Sequence, residues 1–143
     1  MHFVTGGSFN GKKSWVKEFY HNREFYWLSS YNGGLPPGEL SVIKAGVLVF
    51  EGIEGWIKEL THQYNAEECR KRWEEQLVAC RKWEESSPNR EVVFIGVDIT
   101  KGIVPIDKKE RIWRDVTGWC YQDLAKSADR VDLVWYGINQ RIK

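Results

Sequence analysis

Gly6, four residues, Gly11 and Lys12 follow the apolar run Phe3-Val4-Thr5 in the spacing of a phosphate-binding loop. In such a loop the glycines let backbone N–H groups close around phosphate oxygens, and the lysine reaches the terminal phosphates. A Ser or Thr after the lysine holds Mg²⁺. Here Lys13 stands where that hydroxyl belongs. Gly6, Gly7, Ser8, Phe9, Asn10, Gly11, Lys12, Lys13 and Ser14 are therefore candidate nucleotide-binding residues, with Lys12 the candidate catalytic cation. Mg²⁺ can take part only without its usual hydroxyl ligand. The same residues would also make a tight glycine turn between a strand and a surface helix. The context suits the phosphate reading, because Trp15, Val16, Phe19 and Tyr20 recur at helical spacing directly after the loop.

Phosphoryl transfer asks for an acidic side chain at the end of a neighbouring strand, where it orders a metal ion or water. Glu51 ends the apolar run 47–50 and Asp98 ends the run 92–97, so both are candidate catalytic carboxylates. Both positions also suit helix caps and turns.

Five β-type runs (2–5, 25–29, 46–50, 92–97 and 131–135) must position these groups. Helical patterns lie between them at 12–20, 52–62, 66–85 and 108–128. Apolar strands alternating with helices predict an α/β fold, a mostly parallel sheet covered on both faces, with ligands held beyond the strand C-termini. Asn65 reads as an N-cap before Ala66-Glu67-Glu68, and 86–89 as the stop of that helix. Asp107 reads as the N-cap of the last helix, with Glu110 closing a capping box. Gly33-Gly34-Leu35-Pro36-Pro37-Gly38 is a connecting loop.

The 143 residues suffice for one domain, 1–143, with a core of its own. A net charge of +1, from 21 basic and 20 acidic residues, provides no broad field for nucleic acid or anionic membrane. The absence of an 18-residue apolar run or a signal-type amino terminus leads to the expectation of a cytoplasmic protein. Cys69, Cys80 and Cys120 form no C-x-x-C pair and sit in helical patterns, which suits small apolar side chains. Among the eight tryptophans, Trp73 and Trp113 share helix faces with core residues, so most of these rings read as core or subunit contact.

The carboxy-terminal half carries a spaced series: Gly102-Ile103-Val104-Pro105, Arg111, Arg114-Asp115, Gly118, Gln122, Ala125, Ala128-Asp129 and Gly137. With Val4-Thr5-Gly6-Gly7 and Gly11-Lys12, this series resembles the bifunctional adenosylcobinamide kinase and adenosylcobinamide-phosphate guanylyltransferase family of cobalamin biosynthesis. The resemblance implies a three-layer P-loop NTPase-type fold that binds GTP or ATP, acts on cobinamide and assembles as a homo-oligomer. It matches Glu51 to the acidic residue of the family's second motif strand and Asp98 to the glutamate of its Asn-Glu-Val-Gly turn. Arg111, Arg114 and Asp115 match positions near the nucleotide or a subunit contact.

The departures are as specific as the matches. The family's loop carries Ser at the position of Lys13, and its guanylylated histidine lies between the second and third strands. Here only 31–46 separate Ser30 from Val47, and they hold no histidine. His2, His21 and His62 lie elsewhere and read as ordinary surface or core side chains. The resemblance therefore implies a kinase that has lost covalent guanylyl transfer, or a nucleotide-binding or regulatory homologue without turnover.

Overall fold

The computed structural model describes every residue except Leu35 and Pro37, so the connecting loop 33–38 lies partly outside the described residues. The chain runs β1 (His2–Thr5), α1 (Lys12–Phe19), β2 (Phe25–Ser29), a 3₁₀ turn (Ser30–Asn32), β3 (Val47–Glu51), α2 (Ile53–Gln63), α3 (Ala66–Glu85), β4 (Glu91–Ile95), α4 (Lys108–Ser127), β5 (Arg130–Trp135) and β6 (Ile138–Arg141). The strands form one sheet in the order β2-β3-β4-β1-β5-β6. The first five are parallel and β6 is antiparallel to β5.

Pleating divides the apolar runs between two faces. Phe3, Leu48, Phe50, Val92, Phe94 and Val131 face α2, α3 and α4. Val4, Val47, Val49, Val93, Ile95 and Val134 pack with Val16 and Tyr20 of α1 and its carboxy-terminal end. The result is three layers, with the near-continuous apolar strands of a sheet buried on both sides. Cys69, Cys80 and Cys120 are buried and free, and burial pushes the thiols of Cys80 and Cys120 up to about 12. Among the described residues no helix is long and apolar enough to cross a membrane.

Both expected N-caps form. Asn65 Oδ1 accepts from the Glu68 amide at 2.9 Å, and Asp107 Oδ1 from the Glu110 amide at 3.0 Å. The reciprocal half of the capping box at Asp107 does not, because the Glu110 carboxylate is drawn across to Lys58 at 2.8 Å. β6 is an element that the strand pattern did not predict. It turns back from β5 through Tyr136 and Gly137, whose φ angles of 50° and 77° are those of a two-residue hairpin matched to strand twist.

Beneath the opposite end of the sheet, His2 is fully buried, with Nε2 2.8 Å from Asp132 Oδ2 and Nδ1 2.8 Å from the Tyr20 hydroxyl. Burial lowers its pKa below the ordinary 6.5, outweighing the pull of Asp132. The unfolded chain protonates this imidazole near pH 6.5 and the folded chain only at lower pH, so its share of stability is complete above 6.5 and falls on acidification. Each pH unit in that window is worth up to about 1.4 kcal/mol. Asp129 and Asp132, held below the usual carboxylate range, titrate beneath this window. Thermal unfolding between pH 7 and 5 should give a midpoint that falls with pH. The variant His2→Gln should flatten that slope, and an undiminished slope would assign the dependence elsewhere.

Candidate functional site

β1 is flanked by β4 and β5, so the chain leaves it at the C-terminal edge of the sheet, the end where parallel α/β sheets hold ligands. Gly6 passes under β5 so closely that a Cβ there would lie 2.3 Å from the Val134 carbonyl oxygen. Gly11, at φ 85°, turns the chain into α1 as its N-cap. Between them the loop is tied to the hairpin tip. Asn10 Oδ1 accepts from the Tyr136 amide at 3.0 Å, and the Asn10 carbonyl accepts from the Gly137 amide at 2.8 Å. The amide N–H groups of Gly7 to Gly11 donate to no acceptor among the described residues. Lys12 is buried and folds back on the loop, donating to the carbonyls of Gly7 at 2.7 Å and Gly6 at 3.3 Å. Burial lowers its pKa, against the pull of Glu54 and Glu51.

The loop opens into a cavity of about 650 Å³ lined by Ser8 to Lys13, Tyr31, Glu51, Glu54, Val97, Ile99 and Trp113. Its two carboxylates have separate partners. Glu51 Oε2 accepts from Lys13 Nζ and Trp27 Nε1, each at 2.9 Å. Burial alone would push the Glu51 carboxyl up, but these hydrogen bonds hold it below the ordinary carboxylate value. Glu54 stands in the first turn of α2 and accepts from the Tyr31 hydroxyl, from the Tyr121 hydroxyl at 3.2 Å and from the Val97 amide at 3.0 Å. Both tyrosine hydroxyls are pushed up by burial and by this carboxylate.

A divalent cation does not fit the donors present. Its usual place, between the residue after the motif lysine and the strand-end carboxylate, is bridged by an ammonium group rather than a hydroxyl.

The sequence profile of the cobinamide kinase / cobinamide phosphate guanyltransferase family matches residues 38–142. The chain belongs to this family. No curated protein matches it. Membership places the chain among the nucleotide-using transferases of cobalamin biosynthesis, on a P-loop NTPase-type α/β fold. The matched region of this cobinamide kinase/guanyltransferase relative takes in Glu51 and Glu54, while the glycine loop precedes it.

Of the residues singled out by sequence, Ser8 to Lys13 and Glu51 come together at the cavity, and Gly6 and Gly7 shape the loop behind it. Ser14 is exposed on α1, outside the cavity wall. Asp98 follows β4, the strand adjoining β1, but its carboxylate closes its own turn, accepting from the Thr100 amide at 3.1 Å and from the Thr100 hydroxyl. Its amide donates to the Gly6 carbonyl at 3.0 Å, so Asp98 holds the loop through its backbone. Arg111 donates to the Pro105 and Ile106 carbonyls and braces the loop before α4. Arg114 pairs with Asp115 beside it at 3.0 Å, and neither lines the cavity.

None of the three histidines lines it either. His2 is buried at the far end of the sheet, and His21 and His62 are exposed. Sequence reasoning missed Glu54, Tyr31 and Trp113. An acidic residue in the first turn of the helix after Glu51 was the available signal for Glu54, whereas Tyr31 and Trp113 reach the cavity only through the tertiary fold.

Two substitutions test how the loop is held. Asn10→Ala removes the side-chain acceptor of the hairpin amide and should cost about 1–2 kcal/mol in urea unfolding. Gly6→Ala drives a Cβ into the Val134 carbonyl and should cost about 2–4 kcal/mol. A smaller loss at Gly6 than at Asn10 would contradict the close approach of the loop to β5.

Proposed function

We propose that the cavity binds GTP or ATP with its phosphates on the loop of residues 6–13, and that the protein phosphorylates the aminopropanol hydroxyl of cobinamide. The observation that carries this reading is the convergence of unengaged loop amides, Lys12 and two buried carboxylates on one cavity, in a member of the cobinamide kinase family. Lys12 exchanges its two loop carbonyls for the terminal phosphates, and the amides of Gly7 to Gly11 close on the phosphate oxygens. Glu54, fixed by three donors, sets the position of the acceptor end of the cavity. Phosphoryl transfer through a loose transition state asks mainly for positioning and charge stabilisation, so neither carboxylate has to be tuned as a strong base.

Covalent guanylyl transfer needs a nucleophile within hydrogen-bond reach of the phosphorus. The absence of a histidine from the cavity wall supports its loss. The exposed side chains of Ile103, Val104 and Ile106 support a contact between copies of the chain in a homo-oligomer. The Lys13–Glu51 ion pair favours a second reading, in which the nucleotide is held without turnover.

Incubation with cobinamide and GTP or ATP, followed by mass spectrometry, separates the two readings. The kinase reading predicts phosphorylated cobinamide and no nucleotide adduct on the protein, with Lys12→Ala lowering kcat/KM by about 100-fold or more. Bound nucleotide without product would support the second reading, and a guanylylated protein would contradict the loss of the covalent step.

A further inference from the structure

The first turn of α1 carries a second ammonium group whose surroundings are built rather than incidental. Lys13 Nζ lies 2.9 Å from Glu51 Oε2, and that carboxylate side chain is only 9% exposed. The Trp27 indole holds both partners, since Nε1 donates to the same carboxylate oxygen at 2.9 Å and the ring lies 5.2 Å from Lys13 Nζ. Lys17, one helical turn on, sets a second ammonium group 5.6 Å from the same ring. A flexible lysine on a helix surface samples many positions, and each of these contacts narrows that range. Lys13 Nζ is therefore kept at the end of β3, inside the wall of the cavity that the glycine loop opens into.

From this geometry we propose that the Lys13 ammonium group takes the place of the divalent cation, so that the protein binds its nucleotide as the metal-free polyphosphate. The inference rests on the reading of the glycine loop as a nucleotide-phosphate site. An ammonium group has three donors, and one engages Glu51, which leaves the others for phosphate oxygens. It supplies one positive charge where a divalent cation would bring two, beside Lys12, which the motif carries in addition to the metal. A cation entering with the nucleotide has to displace Lys13 from Glu51 or lie against it, and like charges at that range repel. The metal-complexed nucleotide is then the poorer ligand.

Calorimetric titration of the full chain with GTP and with ATP, each in EDTA and in millimolar Mg²⁺, tests this. The expected result is an affinity in EDTA equal to or greater than that in Mg²⁺. Lys13→Ser should reverse the order, weakening binding in EDTA about tenfold or more and restoring a gain from Mg²⁺. Lys13 is half exposed, and an unchanged thermal midpoint checks that its variant folds. Wild-type binding that tightens tenfold or more with Mg²⁺ would overturn this inference and leave the nucleotide reading standing. Absence of any binding by the folded protein, in either buffer, would overturn both.

Discussion

The double pairing of β1 is the constraint on which the site depends. With β4 on one side and β5 on the other, its backbone has no freedom to change register without breaking two ladders. The chain must therefore leave at Thr5, under the Val134 carbonyl, where only a residue without a Cβ can pass. That exit point sets the glycine loop, and the loop sets the first turn of α1. The β5–β6 hairpin extends the same constraint, because its turn amides end on Asn10 and fix the loop from the outside. An exposed hairpin turn thus positions the glycine loop.

Strand order explains how the charges are arranged. β4 lies between β1 and β3, which puts Glu51 two strands, about 10 Å, from the strand that feeds the glycine loop. Lys13, in the first turn of α1, meets Glu51 from the helix side at 2.9 Å. Glu54, in the first turn of α2, lines the same cavity and is stabilised by two tyrosine hydroxyls and an amide rather than by a cation. The two carboxylates thus differ in what they can do. Glu51 is held ionised by donors and a cation, while Glu54 is fixed by hydrogen bonds from the 3₁₀ turn, from α4 and from the segment that follows β4.

Much of this was legible in the sequence, and the reasons are physical. The four inner strands, β1, β3, β4 and β5, are nearly continuous apolar runs because both faces are buried, and the caps Asn65 and Asp107 declare themselves by residue type. β6 escaped because an exposed edge strand, Ile-Asn-Gln-Arg, carries no burial pattern. The strand-end rule picked out Glu51 and Asp98 alike, but local turn chemistry drew the Asp98 carboxylate to Thr100. Trp113 reads as a core residue of α4 by spacing. In the fold its indole donates to the Glu54 carbonyl at 2.8 Å and forms cavity wall, a role set by how α4 crosses α2. Buried His2 had no periodic signal, since its neighbours Tyr20 and Asp132 are brought to it from distant parts of the chain.

The kinase reading and the role given to Lys13 both require the glycine loop to be a working nucleotide-phosphate site. Amide chemical shifts of the ¹⁵N-labelled protein, followed during addition of GTP, test it at single residues. The amides of Gly7 to Lys13 should move most, with smaller shifts at Tyr136 and Gly137 through the Asn10 contacts. Unmoved loop amides, with shifts confined to another part of the molecule, would contradict it.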